Sequence, residues 1–223
     1  ATRNAIALAY VVATETPHIL IVGSGADELA RFKGLPPLPP SPRRVVESYA
    51  EYLKKLVSGQ STRPYIEALR KFFESNPRYL ELARSIAPVY DTVGAVAVSD
   101  SGVLAAGVST GGLMLKLPGR VGDSAIPGAG FYATGRVACS ATGIGEMIIK
   151  TMLCLALDRY VAETGDLEKA AEMVMDYVNN NVGRDTAGFI AVDRNGRVTW
   201  KYNTEGMLVA YARNGEVRVT GIP

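Results

Sequence analysis

The spacing of apolar residues in the first 90 positions is mainly helical. Apolar side chains recur at every third or fourth position, which is the period of a helix that packs along one face. The exception is 18–22, a short apolar run between Pro17 and Gly23 that predicts a buried strand. Four prolines between 36 and 40 indicate a stiff, non-helical spacer. Ser41-Pro42 predicts the start of the next helix, with Ser41 as the N-cap and Pro42 in the first helical position. The predicted helices are 3–14, 26–32, 42–59, 64–75 and 79–86.

From Asp91 onward the pattern changes to short apolar strands separated by turn residues. Asp100-Ser101-Gly102, Asn195-Gly196 and Asn214-Gly215 each predict a hairpin. The predicted strands are 93–98, 103–109, 130–134, 137–142, 188–193, 197–202, 207–212 and 217–219, and two helices are predicted over 145–163 and 167–179. Strands, then two helices, then strands again predict an α+β fold in which an antiparallel sheet is layered with helices.

Composition narrows the class of protein. The chain has 223 residues, 48% of them apolar and 21% charged, with a net charge of +2. This balance favours neither nucleic acid nor an anionic membrane as a partner, and no apolar run approaches the ~20 residues of a spanning helix. Cys139 and Cys154 both lie in apolar stretches. We expect buried thiols rather than a disulfide, and a cytoplasmic location.

The histidine count excludes several mechanisms. His18 is the only histidine, and it precedes an apolar run, where a structural role is expected. Catalysis by a Ser-His-Asp or Cys-His arrangement would have to use it. One histidine and two cysteines also make a zinc site improbable, so we predict no metal and no cofactor.

Thr92 begins the first strand after the helical region. A threonine hydroxyl becomes an effective nucleophile when a base takes its proton, and an N-terminal threonine can use its own α-amine. Attack by Thr92 on the carbonyl of Asp91 would cleave the chain into 1–91 and 92–223. On this dipeptide alone, a β-branched residue that simply starts a strand is the more common explanation.

Three further polar groups are flanked by glycines. Arg120 suits a carboxylate and Asp123 an ammonium, so together they could bind the head group of an amino acid. A mutual surface ion pair explains these two residues equally well. Thr142-Gly143 places a hydroxyl and a backbone N–H just before a predicted helix, where an oxyanion could bind. The alternative for Thr142 is an ordinary helix N-cap.

These motifs, taken in order, resemble the plant-type asparaginase and isoaspartyl peptidase family, whose members are N-terminal-nucleophile hydrolases related to glycosylasparaginase and the threonine aspartase. The resemblance covers 92–223 and, with fewer matches, 1–34. The matching segments are Thr92-Val93-Gly94-Ala95-Val96, Ser109-Thr110-Gly111-Gly112, Leu117-Pro118-Gly119-Arg120-Val121-Gly122-Asp123-Ser124, Gly128-Ala129-Gly130, Thr142-Gly143-Ile144-Gly145-Glu146 and Asn203-Thr204-Glu205-Gly206-Met207.

The resemblance implies a four-layer αββα sandwich, autocleavage, and hydrolysis of the side-chain amide of asparagine or of β-aspartyl peptides. It implies one domain assembled from 1–91, a partial α-subunit region, and 92–223, the β-subunit region. A homodimer of the cleaved αβ units is expected. The roles it implies are Thr92 as nucleophile, Thr110 as its supporting hydroxyl, Arg120 and Asp123 as ligands of the substrate carboxylate and amine, Thr142 and Gly143 as the oxyanion hole, and Gly111 as a substrate contact of the asparaginase branch.

Two departures from the family pattern leave alternatives open. Asp91 stands where the asparaginase branch usually has glycine and resembles glycosylasparaginase, so a glycosylasparaginase-like amidase is the second hypothesis. Family precursors also open with a strand and a His-Gly-Gly-Ala-Gly type segment, and this chain begins beyond them. We therefore expect an upstream segment or a second chain in that place. A non-catalytic, processing-incompetent remnant is the third hypothesis.

Overall fold

The computed structural model describes residues 2–59, 64–84 and 91–220. Contacts between residues divide the chain into two compact units. The first, called here the helical unit, comprises Ala1–Asp91 and Gly111–Val121. The second, the sheet unit, comprises Thr92–Thr110 and Gly122–Pro223. Each unit has its own hydrophobic core.

The helical unit confirms the predicted helices over the part of the chain that the structure describes. Its core is formed by Leu56, Phe73 and Ala83, together with Leu115 from the segment after the first hairpin. The prediction over 79–86 extends beyond the described residues. The helices are α1 (Ala5–Glu15), α2 (Ser24–Phe32), α3 (Arg43–Ser58), α4 (Pro64–Ser75) and α5 (Pro77–Arg84).

Two predictions in the helical unit are wrong. Residues 18–22 form no strand, and Ile19 is 83% exposed. A strand needs a neighbour to accept its backbone hydrogen bonds, and no described segment pairs with this one. The start of α3 also differs, because Pro42 is the N-cap and no side chain caps the helix. Proline at this position supplies the right backbone geometry without Ser41.

The sheet unit confirms the predicted hairpins and antiparallel pairing. Its largest sheet has the order β3-β4-β5-β6, and β1-β2 and β7-β8 form two-stranded ribbons. Every pairing with a described register is antiparallel. The strands are β1 (Asp91–Val98), β2 (Leu104–Gly112), β3 (Phe131–Ala133), β4 (Val137–Gly143), β5 (Ala187–Asp193), β6 (Val198–Tyr202), β7 (Val209–Arg213) and β8 (Glu216–Thr220).

Strand β4 has different neighbours on its two faces. Val137, Cys139 and Ala141 belong to the core shared with the helices of the sheet unit. Side chains alternate along a strand, so Ser140 points to the other face. There it lies against β1, because a Cβ added to Gly94 would collide with Ser140 Oγ. The sheet unit therefore layers helices, the four-stranded sheet and the β1-β2 ribbon.

The predicted helix over 145–163 is two helices in the structure. These are α6 (Gly145–Thr151) and α7 (Leu153–Thr164), and they are followed by α8 (Leu167–Val182). Met152 separates the first two, with the left-handed values φ 48° and ψ 49°. The break lets the start of α7 donate a hydrogen bond to a loop, from Leu155 N to Gly128 O at 2.8 Å. The apolar period could not reveal it, since both helices bury the same face.

Within the described ranges, no helix combines the length and apolarity that crossing a membrane requires. The same residues contain no group of three or more side chains placed to hold a metal ion.

Candidate active site

The predicted nucleophile and its supporting hydroxyl lie next to each other on the β1-β2 hairpin. Thr92 is on β1 and Thr110 is near the end of β2. Their Oγ1 atoms are 3.0 Å apart, and either hydroxyl can be the donor. Thr92 is half-buried, whereas Thr110 is exposed. The hairpin thus places one hydroxyl where it can orient the other, although the residues are 18 positions apart.

Asp91, immediately before Thr92, has an uncommon backbone conformation. Its φ is +94°, in a region that glycine enters readily and other residues enter at a free-energy cost of about 1–3 kcal/mol. The asparaginase branch of the family that the sequence resembles usually has glycine here. The backbone on the N-terminal side of the predicted cleavage bond is therefore strained by the side chain that this sequence carries.

Thr142 and Gly143 lie at the end of β4, paired with Gly188 and Ala187 of β5. Thr142 is not a helix N-cap, because the N-cap of α6 is Ile144. Gly143 has a φ of +140°, and a Cβ there would collide with Thr186 O. No other residue fits this position without displacing the chain.

Strand periodicity places the threonines of β1 and β4 on facing sides. Thr92 is two residues before Gly94, and Thr142 is two residues after Ser140, so each pair shares a face of its strand. Gly94 and Ser140 are in contact between the two sheets. The predicted nucleophile and the predicted oxyanion ligand therefore both face the space between the sheets.

Asp123 is a buried acidic residue, with 7% of its surface exposed. It begins a short 3-10 turn, Asp123–Ala125. Its carbonyl oxygen accepts hydrogen bonds from Ile126 N at 2.8 Å and Gly130 N at 3.2 Å. A carboxylate in such a rigid, poorly hydrated place suits the recognition of an ammonium group.

Arg120 and Gly111 belong to the helical unit, where Lys116 links their surroundings. Lys116 Nζ donates a hydrogen bond to Gly111 O at 2.7 Å. Burial, and then the positive charge of Arg120, hold the pKa of Lys116 below its usual value. Arg120 is half-buried. Its pairing with Asp123 around a substrate stays a prediction, because the two residues belong to different units.

Four residues to which the sequence analysis assigned no role contribute to these arrangements. They are Gly94, Lys116, Gly130 and Ser140. The hydroxyl of Ser140 is buried without a hydrogen-bond partner among the described residues. A glycine inside an apolar strand was the available signal for Gly94. The available signal for Lys116 was a charged residue between two leucines, shortly after the Gly111-Gly112 pair.

Both cysteines are buried and unbridged, as predicted. Burial raises the pKa of the Cys154 thiol well above its ordinary value, and a hydrogen bond with Cys139 adds to this. Cys154 is therefore a neutral thiol at physiological pH rather than a nucleophile.

The mixed helix and sheet content is compatible with the α+β fold of the N-terminal-nucleophile hydrolases. Comparison with known proteins makes the assignment specific. The asparaginase family model matches residues 1–222, and the chain belongs to this family. The predicted resemblance is thereby confirmed.

Individual relatives are similar over almost the whole chain. A plant-type L-asparaginase of Pyrobaculum calidifontis is 40% identical over 97% of this chain and 67% of that protein. An isoaspartyl peptidase of Salmonella typhimurium is 35% identical over 99% of this chain and 66% of that protein. An isoaspartyl peptidase/L-asparaginase of Mus musculus is 32% identical over 96% and 60%, respectively. The chain thus spans 60% to 67% of the length of these relatives.

Proposed function

We propose that this chain is an autoprocessing amidohydrolase that uses Thr92 as its nucleophile. Its substrates are L-asparagine and β-aspartyl peptides, and it releases aspartate. The observation that carries the proposal is the 3.0 Å contact between the hydroxyls of Thr92 and Thr110. The strained backbone of Asp91, directly before Thr92, supports it. The names of the relatives give the substrate class.

The first reaction cleaves the chain itself. Thr92 Oγ1 attacks the carbonyl carbon of Asp91, and the Asp91–Thr92 C–N bond breaks as the nitrogen takes up the hydroxyl proton. The resulting ester links Asp91 to Oγ1, and water hydrolyses it. The products are a carboxylate on Asp91 and a Thr92 with a free α-amine and a free hydroxyl. Thr110 orients the attacking hydroxyl.

The second reaction uses the amine that the first one produced. Its ordinary pKa of ~7.7–8 lets it accept the hydroxyl proton near neutral pH. Oγ1 then attacks the side-chain amide carbon of the substrate, and ammonia or an amino acid leaves with the proton. Water opens the aspartyl ester. Thr142 and the backbone N–H of Gly143 stabilise the oxyanion of the tetrahedral intermediate.

Arg120 and Asp123 are assigned to binding the α-carboxylate and α-ammonium groups of the substrate. Arg120 binds the α-carboxylate through its planar guanidinium, and Asp123 binds the α-ammonium. Gly111 is assigned as a further substrate contact, by its resemblance to the asparaginase branch. Both charges are fixed on the protein, so an amide without an amino acid head group is a poor substrate.

The complete architecture is proposed to be the four-layer αββα sandwich, with a second helical layer over the outer face of the β1-β2 ribbon. Val93, on that face, is 70% exposed in the described structure. Such a layer would remove the Val93 side chain from water. We further propose that the enzyme is a cytoplasmic homodimer of cleaved αβ units and that it uses no metal or cofactor.

Asp91 favours a second candidate, a glycosylasparaginase-like amidase. The aspartate before the nucleophile resembles that branch, whereas Gly111-Gly112 resembles the asparaginase branch. Rates with L-asparagine, a β-aspartyl dipeptide and a glycosylated asparagine discriminate the two candidates. A preference for the glycosylated substrate would replace the first candidate with the second.

Thr92→Ala tests the proposal, with Thr92→Ser as the matched control that keeps a hydroxyl. Because both reactions need the same oxygen, Thr92→Ala is expected to stay a single chain and to release no ammonia from asparagine. Intact mass before and after incubation follows processing, and ammonia release follows turnover. Cleavage at the 91–92 bond in Thr92→Ala would refute the nucleophile assignment.

A further inference from the structure

Gly130 lies directly against Asp123. A Cβ built on Gly130 would be 2.5 Å from Asp123 O, 2.6 Å from its carbonyl carbon and 2.8 Å from its Oδ2. Real Cβ atoms do not approach this closely, and two of the three contacts are with backbone, which cannot rotate away. The absence of a side chain at Gly130 is therefore what lets Asp123 occupy its place.

Gly130 is also tied to the strand that carries the predicted oxyanion ligands. Its N–H donates to Asp123 O at 3.2 Å, and its carbonyl accepts from Ala141 N at 2.8 Å. Ala141 directly precedes Thr142 on β4. The N–H of Gly130 thus binds Asp123, and its carbonyl binds the strand that carries Thr142.

The loop before Gly130 is anchored to a helix. Gly128 O accepts a hydrogen bond from Leu155 N at 2.8 Å, and Ala129 O accepts one from Cys154 N at 3.4 Å. These N–H groups lie in the first turn of α7, where helix donors lack intrahelical partners. They are available because the helix restarts after Met152. The break in the helix therefore has a use, which is to fix the loop that supports Asp123.

We propose that Gly130 is a positioning residue that sets the selectivity of the enzyme for substrates with an α-ammonium group. This inference rests on the proposed function, in which Asp123 binds that ammonium. An ion pair in a poorly hydrated place depends on the position of its carboxylate, and shifts of about 1 Å are enough to reduce the effect strongly. Gly130 fixes that position by allowing close approach of the backbone.

The test compares L-asparagine with succinamic acid, which has the same amide and carboxylate but no amine. The measured quantity is selectivity, the ratio of kcat/KM for asparagine to kcat/KM for succinamic acid. Gly130→Ala is expected to lower selectivity about 10- to 150-fold, the range for losing a hydrogen bond to a charged group. Self-cleavage needs no ammonium, so it is expected to persist in this variant.

Two glycine-to-alanine variants serve as controls. A Cβ at Gly135 would meet nothing within 4 Å, so Gly135→Ala is expected to match the parent protein. A Cβ at Gly128 would meet Met152 Cε and Leu155 Cβ rather than Asp123. Gly128→Ala therefore disturbs the same loop without meeting Asp123, and we expect lower thermal stability and a smaller loss of selectivity than in Gly130→Ala.

Two results would overturn the inference. One is a selectivity of cleaved Gly130→Ala within twofold of the parent, which includes an equal loss of kcat/KM for both substrates. The other is an equal loss of selectivity in Gly128→Ala and Gly130→Ala, since a general loop defect would then suffice. If the parent protein neither cleaves itself nor hydrolyses asparagine, the proposed function fails and this inference fails with it.

If the Gly130→Ala chain does not fold, a second pair of variants, Asp123→Glu and Asp123→Asn, tests the proposal. Asp123→Glu keeps the charge but moves it by one methylene. Because the Asp123 backbone packs directly against Gly130, it cannot retreat to compensate for the extra methylene, and Asp123→Glu is expected to lose as much selectivity as Asp123→Asn. Retention of more than about a third of the parent selectivity by Asp123→Glu would show that the position is not fixed, and would overturn the proposal.

Discussion

Replacing Thr110 with valine removes one hydroxyl from the threonine pair with almost no change in shape. Thr110 is exposed on β2, and valine is well suited to a strand, so the fold is expected to persist. The 3.0 Å contact with Thr92 Oγ1 is lost. The variant therefore isolates what the second hydroxyl contributes to the first.

The expected magnitude depends on the charge that Thr92 Oγ1 acquires. A hydrogen bond between neutral groups contributes about 0.5–1.5 kcal/mol, and one to a charged group about 1.5–3 kcal/mol. In the transition state, the attacking oxygen is losing its proton and becoming more negative, so the second range applies. We expect kcat to fall about 10- to 150-fold. The KM for asparagine is expected to stay within about twofold, because the head group is bound elsewhere.

The assay is ammonia release by the fully cleaved fraction, quantified on a denaturing gel so that slow processing is not mistaken for slow turnover. Thr110→Ser is the control, since it keeps the hydroxyl and is expected to retain most of the activity. A Thr110→Val enzyme with kcat within twofold of the parent would refute the proposed support of Thr92. So would a change confined to KM, which would place Thr110 in substrate binding instead.

Two further predictions concern the substrate carboxylate and the strained backbone. Arg120→Ala is expected to raise KM for asparagine about 30- to several-hundred-fold, because about 2–4 kcal/mol of binding to the substrate carboxylate is lost. Self-cleavage is expected to persist. If steady-state kinetics show little change in KM, Arg120 has a structural role instead. Asp91→Gly is expected to slow self-cleavage about fivefold or more in gel time courses, because glycine removes strain of about 1–3 kcal/mol that attack would relieve. Asp91→Asn keeps the strain without the charge and is its control. If Asp91→Gly cleaves as fast as the parent chain, strain does not drive the reaction.

The sequence by itself determined the helices of the helical unit and the hairpins of the sheet unit. Both are local features, since a helix follows from its apolar period and a hairpin from turn residues such as Asn195-Gly196. The sequence also identified Thr92, because a polar residue at the start of an apolar strand stands out and the ordered motifs around it resemble one family. The family assignment needed no coordinates.

The tertiary structure decided which of the locally predicted strands and helices actually form. The run 18–22 has the composition of a strand, but it has no partner among the described residues and stays irregular. The 145–163 segment has a continuous helical period, yet Met152 interrupts it where a loop offers carbonyl acceptors. In both cases the outcome depended on whether residues far away in the sequence were available as hydrogen-bond partners, and the period of apolar residues carries no information about this.

The candidate site divides in the same way. Residue types and order pointed to Thr92, Thr110, Asp123 and Thr142, but only the structure supplied the distance between the two hydroxyls. It also showed why Gly94 and Gly130 carry no side chain. At each of these glycines a second segment approaches so closely that a Cβ would collide with it. Such approaches join residues that are not neighbours in the chain, and tertiary packing alone brings them together.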